Sequence, residues 1–141
     1  PQLLAALGFI FTAAGGGDVI SNAISGFIPE GSRFLGVLAY CLGMAIFTMV
    51  MGNGFAAFTV ITAGIGGPFV IAQGGDPVIA GTLAMTAGFC GTLVTPMAAN
   101  FNALPVALLE MKDQNDVIKT QAPIAMILLA IHVGLMYYLA F

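Results

Sequence analysis

Between Arg33 and Asp76, and again between Asp76 and Glu110, the chain carries no Asp, Glu, Lys or Arg. A soluble domain covers its outer surface with charged side chains, roughly a quarter of its residues. The nine formal charges here are Asp18, Glu30, Arg33, Asp76, Glu110, Lys112, Asp113, Asp116 and Lys119, and five of them fall in one decapeptide, EMKDQNDVIK (110–119). An all-apolar helix can also be the core of a large globular protein. That alternative needs a polar outer face, and no segment of this chain has an amphipathic pattern with a charged side. With 60% hydrophobic and 6% charged residues and a mean hydropathy of +1.05, the sequence predicts an all-α integral membrane fold. The net charge of -3 with only three basic residues excludes a nucleic-acid partner, because phosphate recognition needs clustered Lys and Arg.

Five apolar blocks follow one another: 3–28, 34–51, 55–72, 78–109 and 120–141. The last, QAPIAMILLAIHVGLMYYLAF with its flanks, matches the ~20 residues a helix needs to cross hydrocarbon. It ends in Tyr137 and Tyr138, which suit a headgroup interface, and Pro123 is placed in its first turn. It alone reads as an unbroken span. The remaining blocks meet helix-stopping residues at AAGGGD (13–18), MGNGF (51–55), AGIGGP (63–68) and VTPMAANFN (94–102). In a bilayer each backbone group freed by such a break costs several kcal/mol unless protein, an ion or water satisfies it, so breaks at membrane depth line cavities. Isolated glycines such as Gly8, Gly36, Gly43 and Gly134 are read instead as close-packing positions. Block 3–28 is one tilted span or a re-entrant hairpin. Block 78–109 exceeds one crossing of a roughly 30 Å core and predicts two arms meeting near Thr95–Pro96. The whole forms a polytopic bundle with interrupted helices, a single transmembrane domain over 1–141. The start at Pro1, with no charged n-region before the first apolar run, predicts the C-terminal part of a longer chain.

The polar connectors are IPEGSR (28–33), AQGGDP (72–77), whose Asp76–Pro77 pair favours a turn, and EMKDQNDVIK. Arg33, Lys112 and Lys119 lie in two of these, which assigns all three to the cytoplasmic side.

Few residues can carry chemistry. GGGD (15–18) matches the Gly-x-Gly-Asp pattern of intramembrane aspartyl proteases, but that chemistry needs two carboxylates sharing a proton. Asp76 stands at a block edge and the other acids cluster in the polar loop, so Asp18 has no second intramembrane acid. An ion or proton ligand, or a cap for the arm VISNAI, suits it better. In TPMAANFN (95–102), Thr95, Asn100 and Asn102, with Thr92 just upstream, surround a proline break that frees an upstream carbonyl. Oxygen clusters at helix breaks suit Na⁺ or a small anion, because carbonyl ends attract cations and half-helix N-termini attract carboxylates; Asn100 and Asn102 could equally cap the next helix. In GNGFAAFTVITAGIGGP, Asn53 sits between two glycines at another break, with Thr59 and Thr62 on nearby turns. Asn53 and Asn100 thus occupy corresponding places in two interrupted segments, the pointer to a site between transporter repeats. His132 is read as an intramembrane histidine bonded to a neighbouring helix, with a proton relay as the alternative. Cys41 and Cys90 are read as small buried apolar groups, not a disulfide or metal pair.

The run GTLVTPMAANFNALPVALLEMKDQNDVIKTQAPIA, with MGNGFAAFTVITAGIG and FTAAGGGDVI, resembles a bacterial membrane family long labelled domain of unknown function 979, and corresponds to the C-terminal part of its members. That resemblance implies one subunit of a two-component 5-oxoproline (pyroglutamate) transporter of the ion-transporter superfamily. It further implies inverted repeats and re-entrant hairpins, with substrate and coupling ion held near the midplane by hairpin-tip side chains. Carried onto this sequence, those are Asn53, Thr95, Asn100 and Asn102, with Asp18 as a further ligand.

The resulting expectation is a secondary-transporter subunit in the bacterial inner membrane, carrying a small organic anion with Na⁺ or H⁺ coupling and no other cofactor. It would work with a second membrane subunit and would not itself hydrolyse ATP, since no G-x-x-x-x-G-K-[ST] loop is present; self-association is also expected. The alternatives are the protease built on Asp18 and a structural subunit whose breaks serve packing.

Overall fold

The structure is a computed structural model that describes residues 6, 9–10, 13–26, 32–113 and 115–141. Those residues are helical throughout, with connecting turns and no strand among them. Most of IPEGSR lies outside the described residues.

The glycine run breaks the first block as expected. Gly15 adopts φ +70°, a left-handed conformation that glycine tolerates without a Cβ penalty, and helix α1 (Gly16–Ser25) starts immediately after it. Helix α2 (Arg33–Met51) follows, 19 residues long, or about 28 Å at 1.5 Å per residue. It ends at Gly52, φ +67°, whose N–H donates to the Thr48 carbonyl, a left-handed cap that satisfies one orphan carbonyl. Asn53 then turns the chain by capping helix α3 (Gly54–Ile61). MGNGF is thus the connection between two antiparallel spans rather than an interruption within one.

AGIGGP does not stop a helix. From Thr62 to Ile71 the chain continues α3 as a π-helix, π1, with Pro68 inside it. In an α-helix the proline ring would meet the carbonyl four residues back. The wider π coil moves that carbonyl aside, and its pattern shows in the Ala72 N–H donating to Gly67 five residues earlier at 2.9 Å. Gly66 admits the Tyr40 ring, whose Cζ stands 2.6 Å from where a Cβ would be, and the Tyr40 hydroxyl meets Thr62 Oγ1 at 2.7 Å.

The turn after π1 uses Gly74 at φ +97° and ends in Asp76, whose carboxylate accepts from Val78 N at 2.8 Å and Ile79 N at 3.0 Å. With Pro77 in the first helical position, this starts helix α4 (Pro77–Leu93). After it come a short π-helical segment, π2 (Ala99–Ala103), helix α5 (Leu104–Leu108) and the long helix α6 (Asp116–Ala140). Block 78–109 therefore has the two arms expected, parting at Val94–Ala98. Helix α6 begins earlier than the apolar block, so Pro123 lies within the helix and not in its first turn.

Helices α2, α3 with π1, and α6 are each long and apolar enough to cross a membrane, with mean hydropathies of 2.2, 1.7 and 1.9. Three unbroken spans replace the single one expected, because one presumed break lies between spans and the other is absorbed by π1. This is a membrane protein.

Helices α2, α4 and α6 pack together around Tyr40, Met44 and Met136. Hydrocarbon gives little drive for helix association, so close backbone approach matters. Ala80, Ala84, Ala87, Gly88 and Gly91 supply it, all buried on α4. A Cβ on Gly91 would collide with the Ala45 carbonyl. Cys41 and Cys90 are free and buried, with Cys41 Sγ 3.9 Å from Met136 Sδ.

The helix directions assign two ends to the bundle. At one, the Asp76 N–H donates to the Ala140 carbonyl at 2.8 Å, the Arg33 guanidinium lies 5.1 Å from the Phe141 ring centre, and Phe34 meets Tyr137 edge-on. Gly52, Asn53, Val94–Ala103 and the start of α6 occupy the other. Arg33 therefore sits at the opposite end from Lys112 and Lys119, which corrects the assignment of all three to one side. An uneven number of crossings separates Arg33 from the polar loop, and counting charges by loop could not show it.

Candidate functional site

The second end of the bundle is where helix termini converge. A cavity of about 320 Å³ opens there, lined by Gly52, Asn53, Gly54, Phe55, Phe89, Thr92, Met97, Ala98, Asn100 and Phe101. Its size falls at the lower end of the range for small-ligand pockets. Each side chain is held there by a local reason.

Asn53 is extended, at φ -143° and ψ 114°, because it is the N-cap of α3. Its Oδ1 accepts from Phe55 N at 2.9 Å and Ala56 N at 3.4 Å, which leaves the Nδ2 donors without a partner among the described residues. Asn100 is exposed on π2 and faces the same cavity. Thr92 lies deeper, its hydroxyl donating to the Phe89 carbonyl at 2.7 Å. Phe55 and Phe89 meet edge-on, with ring centres 6.4 Å apart, and form an apolar wall. Two asparagines 47 positions apart in sequence thus share one cavity, since 53 and 100 both line it.

Thr95 and Asn102 do not line this cavity. Thr95 Oγ1 donates to the Met49 carbonyl at 2.7 Å and accepts from Met97 N at 3.3 Å, tying the break to the end of α2. Asn102, 1% exposed, donates from Nδ2 to the carbonyls of Thr92 at 2.8 Å and Thr95 at 2.6 Å. The last carbonyls of a helix lack intrahelical donors, so Asn102 closes the C-terminus of α4. The expected capping role is reversed: α5 has Ala103 as its N-cap with no side-chain bond, and the Asn102 amide serves the preceding helix.

Asp18 is not brought to this cavity. It is exposed on α1, which packs on π1 near Ala63. It occupies the first turn of α1, inside the helix and not at its N-cap, where a carboxylate favours the positive end of the dipole. His132 is half-buried, and its Nδ1 donates to the Leu128 carbonyl at 2.7 Å, four residues back on its own helix rather than across to a neighbour.

A family model described as Protein of unknown function (DUF979) matches residues 1–141. The chain belongs to this family. No curated protein and no solved structure matches it.

In this DUF979 chain the cavity offers an anion the N-terminal end of α3, the free Asn53 amide donors and the Asn100 amide. It offers a cation the carbonyl ends of α2 and α4, though Thr95 and Asn102 already occupy Met49, Thr92 and Thr95. The walls Gly52, Phe55, Phe89, Met97 and Phe101 were not singled out from the sequence as site residues. Gly52 and Phe55 flank Asn53 in MGNGF, so that break was their signal. Phe89 had none, since it reads as one more apolar residue of α4.

Proposed function

We propose that this chain is a subunit of a secondary transporter for a small organic anion, coupled to Na⁺ or H⁺, in the bacterial inner membrane. The observation that carries this reading is the meeting of Asn53 and Asn100, from two separate helix breaks, in one cavity beside the N-terminus of α3. A helix N-terminus favours a carboxylate, and amide donors add directional hydrogen bonds. The resemblance noted from the sequence makes 5-oxoproline the first substrate to test: a small ring with one carboxylate suits donors on one side and the Phe55–Phe89 wall on the other. A second membrane subunit completes the transporter in this reading.

The break at Val94–Ala98, with π2 and α5 after it, supports the reading of 78–109 as two arms meeting near Thr95–Pro96, with part of the site at their junction. The stretches that carry the two breaks, 33–71 and 77–108, both start at the Arg33 end of the bundle. Their relation is parallel, so an inverted repeat would have to pair them with another part of the transporter.

The test is uptake of radiolabelled 5-oxoproline and other small carboxylates by vesicles holding the full-length chain and its partner subunit, with and without a Na⁺ gradient. Asn53→Ala and Asn100→Ala are expected to lower uptake at least tenfold, as the loss of one charge-assisted hydrogen bond predicts. Unchanged uptake of every anion in both variants refutes the assignment.

A further inference from the structure

Two ionisable side chains sit within the membrane-spanning part of the bundle, on its outside, and neither is matched. Asp18 is exposed on α1 and His132 is half-buried on α6. Among the described residues no ion pair involves either one, and the His132 Nδ1 is bonded only to the Leu128 carbonyl of its own helix. The Asp18 carboxylate and the His132 Nε2 therefore both lack a partner there. A charged group facing hydrocarbon is costly, and ionisable residues in spanning segments pair and face protein.

The two groups lie at one depth. The Val70 carbonyl accepts from Gly75 N at 3.0 Å and the Ala140 carbonyl from Asp76 N at 2.8 Å, so π1 and α6 end at the same level, the Arg33 end of the bundle. Ala63 comes eight residues before the end of π1, and His132 eight before the end of α6. That is roughly 12 Å along each axis, close to the middle of a roughly 30 Å core. Asp18 shares this level, because a Cβ on the adjacent Gly17 would stand 3.5 Å from the Ala63 carbonyl oxygen. Within one chain the two groups are kept apart: α1 packs on π1, whereas α6 packs on α4 and α2.

The charges indicate what covers them. Among the described residues the three other cations stand at the ends of the bundle, Arg33 at one and Lys112 and Lys119 at the other, so the acid finds a basic group at its own depth only on another chain. A neighbouring copy turned about the membrane normal keeps every residue at its depth and brings His132 to the level of Asp18, and closed rotational symmetry is the usual arrangement for copies of one chain. We propose that this protein associates with itself through α1 of one copy and α6 of the next, with Asp18 meeting His132 at mid-membrane. Because Nδ1 keeps its proton for Leu128, Nε2 of the neutral ring is an acceptor. One proton between the two groups, held as carboxyl or as imidazolium, leaves the pair neutral overall and removes an isolated charge from hydrocarbon.

The test is cysteine cross-linking in membranes that hold the full-length protein and its partner subunit. The chain, with Cys41 and Cys90 replaced by Ala, is made in two tagged forms, one with Asp18→Cys and one with His132→Cys. Oxidation is expected to join both tags in one disulfide-linked species. Gly134→Cys has open space at its Cβ but lies about 200° around α6 from His132, and is expected to give about tenfold less of that species with Asp18→Cys. Copurification of the two tags in detergent, with Cys41 and Cys90 retained, is expected to fall about tenfold in Asp18→Leu and in His132→Leu, as removing one partner of a buried pair predicts. The exchange of Asp18→His with His132→Asp is expected to restore it, which a variant that fails to fold would not do. Equal cross-linking from His132→Cys and Gly134→Cys, no species carrying both tags, or copurification unchanged in both leucine variants overturns the proposal. So do tags that copurify only when the second subunit is present, because that subunit is then the occupant.

Discussion

At the residue scale, Asn102 is a structural clamp on the end of α4. Replacing it with Ala frees the carbonyls of Thr92 and Thr95, both buried, and each such loss costs roughly 1–3 kcal/mol. Asn102→Ala is expected to lower the thermal midpoint in detergent, read by a thiol-reactive dye that reaches Cys41 and Cys90 only on unfolding. Gly52 is under two independent demands: its φ of +67° and the Met97 carbonyl oxygen 2.7 Å from where a Cβ would stand. Gly52→Ala should cost about 1–3 kcal/mol from overpacking alone in the same assay, and should disturb the cavity at Asn53. By contrast Gly134 has nothing within 4 Å of its missing Cβ, so Gly134→Ala is expected to leave the midpoint unchanged or raise it slightly. The motif Asn-Gly at 53–54 was legible as a polar break. That Asn102 serves the helix before it, and not the one after, was not, because an asparagine near two helix ends can serve either.

At the element scale, π1 explains how Gly-Gly-Pro sits inside a span. Pro68→Ala restores an N–H and removes the ring that excludes α geometry, so a local return from π to α packing is expected. Tightening the coil would rotate the residues before it relative to those after it, and the Tyr40–Thr62 contact at 2.7 Å would be strained. Hydrogen exchange of the amides from Thr62 to Ala72 should report the change, and identical exchange in both proteins would contradict this account. At the start of α6, Lys119 Nζ pairs with Asp113 at 2.6 Å and Asp116 at 3.3 Å, and that hydrogen bond holds the Asp113 carboxyl below its ordinary range. A lowered carboxylate pKa stabilises the fold at pH above the unfolded value, and the gain is lost as pH falls through the folded one. The three side chains are about half exposed and screened by salt. Lys119→Ala is therefore expected to leave the thermal midpoint at neutral pH within experimental error, a null result that a strongly stabilising pair would break.

At the scale of the whole molecule, the bundle puts Asp76 with Ala140 at one end, joined by a 2.8 Å hydrogen bond, and Asn53, Asn100 and the start of α6 at the other. Single cysteines introduced at Gly74 and at Asn115, in a chain whose Cys41 and Cys90 are replaced by Ala, should react with an impermeant thiol reagent from opposite faces of sealed vesicles. Labelling of both from one face would contradict the arrangement. The apolar surface of α6, with Tyr138 82% and Ile127 62% exposed, is compatible with lipid, where such exposure carries no hydrophobic cost.

By itself the sequence determined the solvent and the punctuation. Long stretches without charge admit only a hydrocarbon environment, and the glycines at 15 and 52 and the proline at 96 mark real ends of helices, because backbone sterics at those residues act locally. Which punctuation marks end a crossing, and which are absorbed within one, was decided by tertiary structure. Pro68 is carried through by a widened coil facing Tyr40, Asn53 and Asn100 meet because helix directions bring two breaks to one end, and Arg33 faces away from the other cations for the same reason. These are relations between segments far apart in the chain, fixed by how helices pack, and no local preference encodes them.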